Sequence, residues 1–168
     1  MAALSISPGA KAITLFADSF QSNDMNANWS GNELGCSQGR SASIFADPKN
    51  TGQYAVGFNQ GNCGSDIVTT HTFSATSGHF ILTFDYLNNV GTNGAGGFLG
   101  LVEGGSFIQW LEMDASGYGQ VQPYGQWTHI TVDFSASSPI QLSIEQWSDL
   151  YTTPGTALYK NLVLTDEA

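Results

Sequence analysis

The chain has 168 residues, only four of them Lys or Arg against fourteen Asp or Glu, for a net charge of −10. That balance excludes nucleic acid and anionic membrane surfaces as partners, because phosphate is repelled and no basic cluster offsets the repulsion. No run approaches the roughly 20 apolar residues of a membrane-spanning helix, and an aromatic content of 12% supplies enough apolar surface to exclude intrinsic disorder.

The opening MAALSISPGAKA lacks the basic n-region of an intact signal peptide, although Ala10-Lys11-Ala12 has the small-x-small form of a cleavage site. Residues 1–12 are read as a flexible N-terminal segment, with a signal-peptide remnant as one origin, and residues 13–168 as a single β-sandwich domain. Helical periodicity is absent. Short alternating segments recur instead, each followed by Gly, Asn, Ser or Pro. The first is AITLFADSF (12–20), then ASIFA (42–46), QYAVGF (53–58) and DIVTTHTF (66–73). HFILTFDYL (79–87), GGFLGLVE (96–103) and SFIQWLEMD (106–114) follow, and WTHITVDFS (127–135), IQLSIEQW (140–147) and ALYKNLVLT (157–165) complete the set. About ten strands with little or no helix make an all-β, two-sheet antiparallel sandwich. The segments 88–97 and 148–156, rich in turn formers, read as exposed loops.

Cys36 and Cys63 both lie in Gly/Asn-rich turns, GNELGC and GNCG, rather than in apolar strands. The preferred reading is a Cys36–Cys63 disulfide, which places the protein in an oxidising compartment, secreted or at the cell surface. Two isolated cysteines without neighbouring histidines make a poor zinc site.

Side chains at i and i+2 share a sheet face, so alternation sorts them. In 79–87 the inward set is Phe80, Leu82, Phe84 and Tyr86, leaving His79 and Asp85 outside. In 106–114 it is Phe107, Gln109, Leu111 and Met113, leaving Ile108, Trp110, Glu112 and Asp114. Residues 127–135 turn Ile130, Val132 and Phe134 in and Trp127, His129, Thr131 and Asp133 out. The next strand turns Ile140, Leu142 and Ile144 in, with Gln141, Ser143, Glu145 and Trp147 out. The outward group therefore gathers Trp110, Glu112, Trp127, His129, Asp133, Glu145 and Trp147.

Flat aromatic rings beside carboxylates and amides suit a sugar: its apolar ring face stacks on indole, and its hydroxyls need acceptors. A large rigid ring supplies contact area at little entropic cost. Trp110, Glu112, Glu145 and Trp147 are the leading ligand-binding candidates, with His129 and Tyr151 behind them. Trp127 begins its strand, and sealing a sandwich corner is an equal alternative for it.

The segments HFILTFDYLNN, QWTHITVDFSAS, PIQLSIEQWSD and ALYKNLVLTD, in that order, resemble bacterial extracellular jelly-roll domains of the carbohydrate-binding-module-like, galactose-binding-like type, including those on exported proteins with C-terminal sorting tails. The resemblance covers roughly residues 78 to 166 and implies a jelly roll that binds carbohydrate outside the cell. Such domains often end in Tyr-x-Asp-Asn-Val, whose acidic residue helps hold a structural calcium ion. Here the run is Tyr159-Lys160-Asn161-Leu162-Val163, and an ammonium cannot coordinate a cation. The hard oxygen ligands left for calcium are Asp18, Asp24, Asp47 and Glu33, in or near loops. No other cofactor is indicated.

Catalysis is not the expectation. Trp110 to Asp114 resembles the Glu-x-Asp of one jelly-roll glycosidase family but breaks off there, which leaves Glu112 and Glu145 as a third reading for a carboxylate pair. No Gly-x-Ser-x-Gly elbow appears, and the glycines of 93–97 lack a Walker lysine. His71, His79 and His129 lack metal-ligand spacing. The reading is a non-catalytic carbohydrate-binding sandwich. Its runner-up is an extracellular structural or adhesive matrix protein that associates with itself through outward aromatics.

Overall fold

A computed structural model describes residues 12–25, 27–32, 42–59, 65–89, 95–105, 107–114, 123–137, 139–148 and 155–167. Cys36, Cys63, Glu33, Tyr151 and residues 1–11 lie outside that set. Among the described residues there is no helix, and eleven strands run in the order β1 (Ile13–Asp18), β2 (Trp29–Asn32), β3 (Ala42–Ala46), β4 (Tyr54–Phe58), β5 (Ser65–Thr69), β6 (His79–Asn88), β7 (Ala95–Glu103), β8 (Phe107–Met113), β9 (Trp127–Ser135), β10 (Ile140–Ser148) and β11 (Ala157–Asp166). Ten fall where alternation places them. Residues 70–73 do not extend β5; Phe73 makes one isolated bridge to Ile140.

The strands form two antiparallel sheets packed as a jelly-roll sandwich. One has the order β3-β4-β11-β6-β9, with β1 also paired to β11, and the other β2-β5-β10-β7-β8. Strands that neighbour each other within a sheet are mostly distant in sequence: β11 joins β4, β6 and β1, and β10 joins β5 and β7.

Between the sheets lies a core of Phe80, Leu82, Phe84, Tyr86, Leu99, Leu101, Ile140, Leu142, Ile144, Tyr159, Leu162 and Leu164, all essentially inaccessible. The inward sets of β6 and β10 are those that the period of two predicts. Tyr86 and Tyr159 cross the core with ring centroids 5.2 Å apart. The Tyr159 hydroxyl donates to the Glu145 carbonyl at 2.6 Å, and the Tyr86 hydroxyl accepts from the Gly97 N–H at 2.8 Å. Burial, then the charge neighbours of each ring, push both phenols well above their usual range, so both stay neutral. Gly97 has to be glycine: a Cβ there would sit 2.1 Å from the Tyr159 hydroxyl.

The β2 strand is the element that alternation misses. Its sequence, WSGN, is built from turn formers, yet Trp29 is buried and ringed by Phe16 and Phe20 at 5.7 and 5.8 Å. Asp18 anchors that corner by accepting from the Phe20 N–H, the Asn28 amide and the Trp29 indole N–H at 2.8, 3.0 and 2.9 Å.

Two bulges break the strict period. In β11 the register shifts between Lys160 and Val163, and Asn161 takes a left-handed φ of 55°, so the inward residues go from Ala157 and Tyr159 to Leu162 and Leu164. In β8 Leu99 pairs with Glu112 while Gly100 pairs with Trp110, which leaves Leu111 as the extra residue. The outward parity expected of Glu112 and Asp114 fails beyond that point. Asp114 is buried and accepts from the Asn88 amide at 3.1 Å. Gln109, assigned to the core, is exposed although it stands opposite Leu101, because β8 is the sheet's edge.

Candidate functional site

The expected outward group is divided between opposite faces of the molecule. Trp127, His129 and Asp133 stand on the outer face of the six-stranded sheet, on β9. Trp110 and Glu145 stand on the outer face of the five-stranded sheet, and Trp147 takes the same register phase, opposite Gly96. Only the backbone of Trp147 is described. Glu112 belongs to neither face: beyond the bulge it lines a small interior cavity with Phe84, Leu99, Ile130 and Tyr159. Glu112 and Glu145 therefore lie on opposite sides of one sheet, and the carboxylate pair considered for a glycosidase does not form.

On the five-stranded sheet the outer face is read directly from the register. Across the strands, Glu145 of β10 stands opposite Asp66 of β5 on one side and Phe98 of β7 on the other. Two residues back along β10, Ser143 stands between Val68 and Gly100, and Gln141 beyond it faces Val102. Trp110 of β8 stands beside Gly100 and packs its ring against Phe98, centroids 5.2 Å apart and tilted by 58°. Trp110 is 38% exposed, one of three exposed large apolar side chains among the described residues. Around it the face is not the open polar surface that alternation implies: Asp66, Ser143 and Glu145 are all buried, at 5%, 0% and 9% exposure. Burial first, and then the charge of Asp66, push the Glu145 carboxyl up to about 8.

The outer face of the six-stranded sheet carries the same residue types in a different state. Lys160 Nζ donates to Asp47 Oδ2 at 2.6 Å and to Gln53 Oε1 at 3.1 Å. The ammonium lies 4.3 Å from the Trp127 ring centroid, and the Trp127 indole N–H donates to Asp47 at 3.0 Å. Burial pushes Asp47 up, but the Lys160, Asn50, Trp127 and Lys49 donors outweigh it and hold the carboxyl well below the usual carboxylate range. Trp127 also packs against a small apolar cluster of Ala55, Leu87 and Leu158, in keeping with the corner-sealing alternative. His129 Nδ1 lies 2.8 Å from Asp85 Oδ1, whose other oxygen accepts from Asn161 at 2.7 Å, and His79 pairs with Asp133.

This arrangement bears on calcium. The position where the resemblance puts a calcium ligand holds the Lys160 ammonium, already compensated by Asp47, so these residues do not fit a cation. Asp18 spends its oxygens on three N–H donors, and Asp24 is exposed in the turn after β1. Among the described residues no three His, Cys, Asp or Glu side chains converge on one point.

The fold is that of an antiparallel jelly-roll sandwich, and solved structures share it. The chain is similar to the N-terminal modules of Clostridium thermocellum endo-1,4-beta-D-xylanase 10B complexed with xylohexaose, at 14% identity and TM-score 0.62, covering 92% of this chain and 28% of that longer one. It is similar to the K3 cleaved adhesin domain of Lys-gingipain from Porphyromonas gingivalis, at 12% identity and TM-score 0.62, covering 93% and 99%. A third is a carbohydrate-binding module with specific mannan recognition, at 18% identity and TM-score 0.54, covering 95% and 100%. At these identities the likeness is one of fold. No family model matches the sequence, and no curated protein matches it.

Proposed function

We propose that the protein is a non-catalytic carbohydrate-binding sandwich, secreted or held at the cell surface, in which residues 13–168 act as one domain. Its sugar site is the outer face of the five-stranded sheet. The observation that carries the reading is the half-exposed Trp110 ring, propped by Phe98 beside a polar strip of Gln141, Ser143 and Glu145. Trp110 offers a stacking platform, and the partly exposed Gln141 is the strip residue that offers a hydroxyl partner near its margin, with Ser143 and Glu145 buried beneath. Trp147 joins the same strip by register, and Tyr151 follows shortly after the end of β10. His129 belongs to the opposite sheet and Glu112 to the interior, so the site is smaller than the sequence group. Solved neighbours described as carbohydrate-binding modules and adhesin domains support the class of ligand.

The test is calorimetric titration with the ligands named for the neighbours, xylohexaose, mannan and β-1,4-galactotriose, extended by a glycan array. Binding by the wild type and an affinity about tenfold weaker in W110A are expected, since loss of one aromatic contact of roughly 1.4 kcal/mol has that effect. Absence of binding across the array, with tryptophan fluorescence unchanged on sugar addition, overturns the reading. Filaments or large assemblies in light scattering would instead favour the self-associating matrix protein. Of the described exposed apolar residues, Ile13 lies on β1 of the six-stranded sheet and Trp110 on β8 of the five-stranded sheet, so these two do not share one sheet.

A further inference from the structure

The strands that end the two sheet orders are β3, β9, β2 and β8, and most of them carry a device that blunts an exposed edge. β2 and β3 have only four and five residues, and β8 is broken by its bulge. β9 is the exception. It runs nine residues from Trp127 to Ser135 without Pro, Gly or Lys, and its register with β6 is unbroken. Among the described residues β6 is its single strand partner.

The ladder to β6 fixes which backbone groups the open edge presents. The Ala136 N–H donates to the Gly78 carbonyl at 3.0 Å, one step beyond the pair His79–Ser135. A residue's N–H and C=O point to the same side of an antiparallel strand, and the side alternates along the chain. Thr128, Ile130, Val132 and Phe134 therefore turn both groups to β6, while His129, Thr131 and Asp133 turn both to the open edge. The far side of β6 agrees, because the Asn89 N–H donates to Thr156 and the His79 carbonyl accepts from Glu167, at 2.8 and 3.2 Å, so odd-numbered β6 residues face β11. The side chains of His129, Thr131 and Asp133 are exposed, and Ile130, Val132 and Phe134 are only partly covered by the core.

We infer that β9 is the interface of a twofold-symmetric dimer, in which the β9 of a second copy pairs antiparallel to it about Thr131. In that register both open backbone groups of His129 meet those of Asp133 of the second copy, and Thr131 meets its own equivalent. Imidazole stands against carboxylate and threonine against threonine, both favourable cross-strand pairs. On the core side Ile130 faces Val132. Within each copy Asp85 already holds His129 and His79 holds Asp133, so acid and imidazole alternate along the row from one copy into the next. Centring on Asp133 opposes two carboxylates, and centring on His129 opposes two imidazoles, so these side chains select the register while the backbone supplies the affinity. The twofold axis is perpendicular to the sheet, so the contact closes at two copies. It also leaves both five-stranded outer faces on one side of the dimer.

The test needs no sugar, so it can fail while the carbohydrate reading stands. The mass of the full chain is followed by analytical ultracentrifugation from micromolar to millimolar concentration, and a monomer-to-dimer transition without larger species is expected. Amide hydrogen exchange at both ends of that range reads the register. Protection at His129, Thr131 and Asp133 should rise with concentration, whereas that at Ile130 and Val132, bonded to β6 in both states, should not. T131P removes an edge donor and spares the β6 ladder, and T131K sets two ammonium groups against each other. Each should weaken association by about tenfold or more. Circular dichroism confirms folding, and T131K serves alone should T131P fail to fold. A monomer throughout the range overturns the inference, as do open-ended assemblies, a dimer that survives both substitutions, and protection at 129, 131 and 133 that ignores concentration.

Discussion

The two outer faces of the sandwich use one alphabet, tryptophan, carboxylate and a few amides, to opposite ends. On the six-stranded sheet every prominent acid has a partner: Asp47 has Lys160 and the Trp127 indole, Asp85 has His129 and Asn161, and Asp133 has His79. On the five-stranded sheet Glu145 faces Asp66, and Ser143 lies buried beside it. One consequence is that burial, working on both acids, has opposite net results: Asp47 is held well below its usual range while Glu145 rises to about 8. Burial alone does not set the direction for a carboxyl; the donors and charges that reach it do.

The largest way to break the contrast is to uncompensate the quiet face. K160M removes the ammonium and strands the Asp47 carboxylate, whose side chain is fully buried, and should cost about 3–5 kcal/mol in urea unfolding. D47N/K160M together should recover much of that loss. Wild-type Asp47, with its pKa lowered in the fold, stabilises above its unfolded value of 3.8. That contribution is lost progressively as pH falls from about 4 through its lower folded-state value.

The next largest effect runs in the reverse direction on the other face. Glu145 binds its proton more tightly folded than unfolded, so the unfolded state carries fewer protons between its ordinary value of 4.5 and about 8. Its contribution to stability is therefore full below pH 4.5 and declines as pH rises to about 8, by an amount on the order of 2 kcal/mol once relaxation and water entry are allowed for. E145Q should flatten that decline, and a slope unchanged by E145Q would remove the assignment.

Smaller still is the stability effect of W110A. The residue is 38% exposed, so unfolding should shift by about 1–2 kcal/mol while sugar affinity falls about tenfold. A loss of several kcal/mol would mark Trp110 as a packing residue. The smallest effect is expected of H129A. Its pair with Asp85 is largely solvent-exposed, and such pairs contribute about 0–1 kcal/mol. Sugar binding should be untouched by it, because His129 lies on the wrong sheet.

Much of the sandwich was legible in the chain. Ten of eleven strands follow from local alternation, because a half-buried strand must place apolar residues at every second position. The inward sets Phe80-Leu82-Phe84-Tyr86 and Ile140-Leu142-Ile144 need no partner strand to be recognised. WSGN does: nothing local makes Trp29 to Asn32 extended, and the strand exists because β5 pairs with it and Phe16 and Phe20 enclose its tryptophan. The outward phase of Trp110 and Glu145 was likewise readable, whereas that of Glu112 was not, since one inserted residue, Leu111, reverses every side chain after it.

What the sequence determined by itself is thus the strand class, the core and the phase of each regular strand, since all three depend on neighbours two residues away. What only the tertiary structure decided is which strands share a sheet, and with that which aromatics and acids share a face. Those pairings join residues as remote as Asp47 and Lys160, 113 positions apart, or Asp66 and Glu145. Backbone hydrogen bonding between strands is the same for any sequence. The choice among partners is therefore made by the packing of the whole sandwich, and no local pattern records it.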